Sequence, residues 1–115
     1  MRGIEGEQVL LRLILSESCY HERQPAFRAI LELLRREGLA GTTVVRGIAG
    51  FGHDRALHTI DIEVSSIGLP LVIEVVDTEE RIDGVLPQLG PLMEGGVMMR
   101  ERARVIRYTQ RGAEG

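Results

Sequence analysis

Between Val44 and Thr59 the chain reads VVRGIAGFGHDRALHT, and this segment gathers the residue types best suited to binding chemistry. Gly47, Gly50 and Gly52 fall inside it and Gly41 lies just before. Glycines let a backbone take unusual dihedrals or let another group approach closely. Successive N–H groups in such a loop can form an anion-binding nest, and the same glycines also suit a hairpin corner. Arg46, Gly47, Gly50, Phe51 and Gly52 are therefore candidate ligand contacts. His53 and His58 join them, and with Asp54 or Asp61 they offer the nitrogen and oxygen ligands that zinc accepts. Three ligands leave a structural metal site incomplete, and a loop histidine beside a strand histidine explains the pattern as well, so no metal site is assigned.

A second constellation lies near the C-terminus, where Arg100, Arg102 and Arg104 alternate with Glu101, Ala103 and Val105. Guanidinium groups grip phosphate or carboxylate through a planar fork. The alternative is cross-strand pairing with Asp61, Glu63 or Glu74, worth about 0.2–1 kcal/mol per pair. Nucleophilic catalysis needs a base within hydrogen-bond reach and a third group to orient it. Ser16, Ser18, Cys19 and His21 share one loop without any such signature, so no catalytic residue is assigned and the chain is not expected to be an enzyme. Glu79 and Glu80 suit a helix first turn, where acidic residues favour the dipole.

The remaining composition limits what these residues can serve. A length of 115 residues fits one domain, here residues 1–115 with a core from about 7 to 107 and a tail at 108–115 expected to be mobile. The net charge is −3 and aromatic residues make up 3%, which argues against nucleic acid as a partner: there is neither global attraction nor a set of stacking platforms. Cys19 is the single cysteine, so an intrachain disulfide and a cysteine-rich zinc site are both excluded. No apolar stretch approaches the roughly 20 residues of a membrane span. Glu5 and Glu7 precede the first apolar run, unlike a signal peptide, so a cytoplasmic location without membrane insertion is expected.

Hydropathy patterning supplies the elements that must position the candidates. Gln8–Leu15 reads as a central strand with Val9, Leu11, Leu13 and Leu15 on one face and Leu10, Arg12 and Ile14 on the other. Phe27, Ile30, Leu31 and Leu34 recur at helical spacing after Pro25, which predicts a helix from about Gln24 to Glu37 stopped by Gly38. Thr42–Ala49 and Leu57–Val64 read as strands of a hairpin around a loop at 50–56, and Leu71–Val76 as a further apolar strand. Asp77 and Glu80 have the spacing of a capping box. Ile82, Val85, Leu86 and Leu89 then continue a helical stripe through Pro87, with Gly95 and Gly96 as its end. Val97–Arg107 is the last strand. Without the hairpin extension the order is βαββαβ, an α+β ferredoxin-like plan: an antiparallel sheet with both helices on one face. The opposite face would carry Leu10, Ile14, Val72 and Val76 around Arg12 and Glu74, a composition better suited to an oligomer core than to open water.

With strand order and glycine loop in place, the chain resembles an uncharacterised PII-like family, domain of unknown function 190. The resemblance rests on RLILSES at Arg12–Ser18, LAGTTVVRGIAGFG at Leu39–Gly52, His58-Thr59 and LPLVIEVVDTEERIDGVLPQL at Leu69–Leu89. It is similar, more distantly, to PII signal-transduction proteins, whose regulatory loop opens with a Gly-Phe-Gly like Gly50-Phe51-Gly52. That likeness implies a homotrimer that binds an adenine nucleotide or another small anion in clefts between subunits. It also implies a regulatory rather than catalytic role, exerted on a partner such as a membrane transporter or channel. PII proteins end a glycine-rich phosphate segment in lysine; Met93–Met98 here keeps Gly95 and Gly96, the chain has no lysine, and Arg100, Arg102 and Arg104 would supply the charge. CutA-like metal-responsive trimers share the architecture and form the alternative expectation, with an enzyme using Cys19 or His21 as a third.

Overall fold

The computed structural model describes residues 3–51, 57–59 and 68–109. In chain order its elements are β1 (Gly6–Ser16), β2 (Tyr20–His21), β3 (Gln24–Pro25), α1 (Ala26–Arg36), β4 (Thr42–Arg46), β5 (Ala49–Gly50) and β6 (His58–Thr59). They are followed by β7 (Pro70–Asp77), α2 (Glu79–Leu89), a 3-10 turn at Gly90–Leu92 and β8 (Val97–Val105). The main sheet has four strands in the order β4-β7-β1-β8, and every neighbouring pair is antiparallel. This is the expected ferredoxin-like plan. The short ladder of β5 with β6 is the base of the expected hairpin extension.

The register explains the two faces. Leu13 lies opposite Ile73 and Leu11 opposite Val75, and all four are buried with Ile30, Leu34, Ile82, Val85 and Leu89 in one core. Side chains alternate along a strand, so Leu10, Arg12 and Ile14 must point away from the helices, and each is only partly buried. The outward face carries one apolar row of Val45, Val72, Ile14 and Val97. The next row places Thr43, Glu74, Arg12 and Met99 side by side. Arg12 Nε donates to Glu74 at 2.7 Å and Nη1 to Glu101 at 3.4 Å, so the charges within the aliphatic face are paired with each other.

Helix boundaries follow local chemistry, with corrections to the sequence reading. Gly38, at φ 78°, sits just past α1; its N–H reaches Arg35 O and the Leu39 N–H reaches Leu34 O. That is a Schellman stop, which favours glycine. Pro25 precedes the helix as its N-cap instead of lying within its first turn. The cap of α2 is Thr78, not Asp77: the Thr78 hydroxyl accepts from Arg81 N–H at 3.2 Å, and arginine at that position cannot complete a capping box with Glu80. Asp77 serves another purpose. It is 0% exposed, and its Oδ2 accepts from Ala40 N–H at 2.8 Å while Oδ1 accepts from Thr78 N–H at 2.6 Å. The α2 stripe does run through Pro87, but the helix ends at Leu89 because Gly90-Pro91 tightens the chain into a 3-10 turn before Gly95 is reached. β4 stops at Arg46 because Gly47 leaves the main sheet, and β8 stops at Val105 instead of Arg107. Residues 60–64 of the expected return strand and 110–115 of the expected tail lie outside the described residues.

Removing the Asp77 carboxylate would leave the Ala40 N–H buried without an acceptor. Asp77→Ala is expected to lower stability by about 2 kcal/mol, the cost of an orphaned buried donor, seen as a lower urea midpoint at unchanged slope.

Candidate functional site

The glycine-rich segment is shaped by Pro70 at the start of β7. Gly47 N–H donates to Pro70 O at 2.7 Å, and a Cβ on Gly47 would come within 2.7 Å of Pro70 Cγ. The position is therefore glycine for close packing. Gly50 lies over the same ring, where an added Cβ would meet Pro70 Cγ at 3.2 Å. Beyond Gly50, Phe51 is exposed, as are Ile48 and Leu57. His58 pairs with Gly50 through the strand ladder. Gly52, His53, Asp54 and Asp61 lie outside the described residues.

Arg46, at the end of β4, engages Glu17 just past the end of β1. Arg46 Nη2 donates to Glu17 Oε2 at 2.9 Å, and Leu69 N–H donates to the same oxygen at 3.0 Å. The Glu17 backbone N–H returns to Leu69 O at 2.9 Å. The hydrogen bond from Arg46 pulls the Glu17 carboxyl below its usual range, against some desolvation, with the backbone N–H groups of Leu69 and Gly68 acting in the same direction. Alongside, Ser16 Oγ lies 2.7 Å from Ser18 Oγ, accepts from Ser18 N–H at 3.1 Å and donates to Gly68 O at 3.2 Å. Sequence reading missed Glu17, Leu69 and Pro70 as site residues. All three lie within segments that carry the family resemblance, yet nothing local marks them as neighbours of Arg46, because only the pairing of β1 and β4 with β7 brings them there.

The arginines of β8 occupy the opposite edge. Arg100 lies beside Leu11, Arg102 beside Val9 and Arg104 beside Glu7, so the series shares the helix-covered side of the sheet. Arg100 binds Asp83 at 2.5 Å and lies 3.8 Å from Glu79, both on α2. The Asp83 hydrogen bond, reinforced by both carboxylate charges, holds the Arg100 guanidinium protonated above its ordinary range. Arg104 pairs with Glu7 at 3.5 Å. The anticipated partner Glu74 is on the other face with Arg12, while Asp61 and Glu63 lie outside the described residues. Arg46 and the β8 series are separated by β7 and β1, which at three strand spacings is about 14 Å. A single chain thus presents the described candidate residues as two groups on two edges and does not bring them together.

The residues considered for catalysis have structural engagements. The Cys19 thiol donates to Glu94 O at 3.7 Å, and His21 lies 3.9 Å from Glu22. Among the described residues no three His, Cys, Asp or Glu side chains group as metal ligands, and no helix is long and apolar enough to cross a membrane.

An antiparallel α+β sheet with two helices on one face and a glycine-rich hairpin leaving one edge defines a PII-like fold. The family model DUF190, described as Uncharacterized ACR, COG1993, matches residues 8–105, and the chain belongs to this family. A UPF0166 protein of Methanocaldococcus jannaschii is 41% identical over 80 residues, covering 70% of this chain and 73% of the relative. Among solved structures, CPII, a nitrogen regulatory PII-like protein from Thiomonas intermedia K12 bound to ADP, AMP and bicarbonate, aligns with a TM-score of 0.67 at 21% identity, covering 88% of this chain and 90% of that one. A PII-like signaling protein from Thermus thermophilus aligns with a TM-score of 0.60 at 15% identity, covering 90% and 94%. At these identities the structural likeness is one of fold.

The low Glu17 pKa has a signed consequence for stability. The clasp contributes fully above the ordinary carboxyl value of 4.5 and fades as pH falls through the lower folded value. In urea titrations from neutral to acid pH, wild type is expected to exceed Glu17→Gln by about 1 kcal/mol at neutrality, and the gap should close below that value.

Proposed function

We propose that this chain is a PII-like regulatory protein that works by binding and not by catalysis. Three copies bury their bare sheet faces against one another. A small anionic effector, with an adenine nucleotide as the first candidate, occupies the clefts between them. The occupied assembly then acts in the cytoplasm on a partner protein such as a membrane transporter or channel. The observation that carries this reading is the outward sheet face. Val45, Val72, Ile14 and Val97 form an apolar row across all four strands, and Val45 is 53% exposed in the single chain. Contiguous apolar surface of this kind is a hallmark of an interaction face, and a heterologous contact repeated around a three-fold axis closes it into a ring.

The division of the candidate residues supports the same reading. Of the described candidates, Arg46, Gly47, Gly50, Phe51 and His58 belong to the β4 side, while Arg100, Arg102 and Arg104 belong to the β8 edge. Packing copies around a closed ring sets the β4 edge of one against the β8 edge of the next, which is how both groups would come to face one ligand. The binding of ADP and AMP by CPII, a protein of the same fold, agrees with an adenine nucleotide as effector.

Sedimentation at micromolar protein is expected to show a species three times the 12.8 kDa chain mass. Val72→Asp, which places a charge in the apolar row, should yield a folded monomer. Calorimetric titration of ADP, AMP and ATP should show binding to the trimer and none to that monomer. A monomeric wild type, or a trimer that binds none of the three below millimolar concentration, would remove the proposal.

A further inference from the structure

The Glu17 carboxylate sits where an external anion would sit. Its Oε2 takes one hydrogen bond from Arg46 Nη2 at 2.9 Å and one from Leu69 N–H at 3.0 Å. A backbone N–H and a guanidinium converging on one carboxylate oxygen make a small oxyanion nest. Its frame does not depend on the Glu17 side chain. The Glu17 N–H to Leu69 O bond at 2.9 Å, the Ser16 Oγ to Gly68 O bond at 3.2 Å and the Gly47 N–H to Pro70 O bond at 2.7 Å hold Gly68–Pro70 against β1 and the end of β4. The donors therefore stay in place if the carboxylate swings out. The route is open, since the Glu17 side chain is 20% exposed and that of Arg46 is 53% exposed.

We propose that this nest is an anion subsite, that Glu17 fills it as an internal competitor, and that a planar, singly charged oxyanion of carboxylate or carbonate type displaces Glu17 from it. The occupant already present shows the fit: a trigonal, singly charged two-oxygen group. The depressed Glu17 pKa agrees, because the surroundings favour a negative charge at that point. The proposal rests on the effector-binding reading above and names a ligand class for its β4 half. It also gives occupancy a consequence. With Glu17 displaced, Arg46 follows the incoming anion, the tie between the ends of β1 and β4 is exchanged, and the change is passed directly to Gly47–Phe51.

The test uses sodium acetate and sodium bicarbonate as probes, with sodium chloride at matched ionic strength as control, and follows the Gly68 and Leu69 amide resonances. In Glu17→Ala both oxyanions should give saturable shifts and raise the melting temperature, while chloride does neither. Wild type should show the same shifts at concentrations about ten-fold higher or more, because Glu17 competes. Adding Arg46→Gln to Glu17→Ala should abolish the response. If Glu17→Ala does not fold, Glu17→Gln takes its place, since a neutral amide no longer competes as an anion. No saturable shift in the folded variant overturns the proposal. So does a variant that saturates beside a wild type that never responds, since the contact is then only a structural clasp. Nucleotide titration and sedimentation read separately, so a failed nest leaves the trimer and its nucleotide sites standing, and a monomeric wild type that still binds acetate has the opposite meaning.

Discussion

Burial of Leu11, Leu13, Ile73 and Val75 under the two helices decides where every other side chain of the sheet must go. A strand has a period of two, so a register that puts these four inward also puts Leu10, Arg12, Ile14, Val72, Glu74 and Val76 outward. Slipping β1 by one residue would bring Arg12 into an aliphatic core, a cost of several kcal/mol for an unpaired charge. The same constraint leaves an aliphatic face that no other described element of the chain covers. Arg12 is made compatible with that face by its own neighbours, because Glu74 lies directly across and Glu101 within reach. The Glu74 hydrogen bond chiefly raises the Arg12 pKa, so the group stays charged and paired.

The sheet also separates the chemistry. β7 and β1 occupy the centre, so the glycine hairpin and the β8 arginines are held at opposite edges. Each edge is locally tied down. Pro70 receives Gly47 and Gly50, Glu17 holds Arg46, and α2 holds Arg100 through Asp83. The elements that build the core thus present the charged groups in fixed places, and Phe51 and Leu57, next to β5 and β6, are exposed apolar side chains.

Much of this was legible in the sequence, and the misses have physical causes. Strand β1, helix α1 with its Gly38 stop, the apolar β7 and the overall βαββαβ order all come from periodicity and from a backbone conformation that only glycine adopts easily. The family resemblance read on Leu39–Gly52 and Leu69–Leu89 agrees with the match over residues 8–105. Asp77 and Glu80 have the spacing of a capping box, but spacing alone cannot tell a side chain that turns to its own helix from one that reaches across to Ala40. Arg100, Arg102 and Arg104 were recognised as alternating, yet alternation does not say which face of an edge strand they occupy or that Asp83 waits on the helix above. Glu17 sits within the RLILSES segment, yet nothing local ties it to Arg46 or Leu69, since these partners lie 29 and 52 positions away.

The sequence by itself determined the elements, their order and the two-sided character of the central strands, because these depend on local dihedral preference and on repeats of 2 and 3.6 residues. Only the tertiary structure decided which ionic groups meet. Ion pairs and backbone-to-carboxylate bonds act over about 3 Å, while the ion-paired residues that matter here are 17 to 62 positions apart. Strand pairing brings Glu17 to Arg46 and Arg12 to Glu74, and the packing of α2 on the sheet brings Asp83 to Arg100.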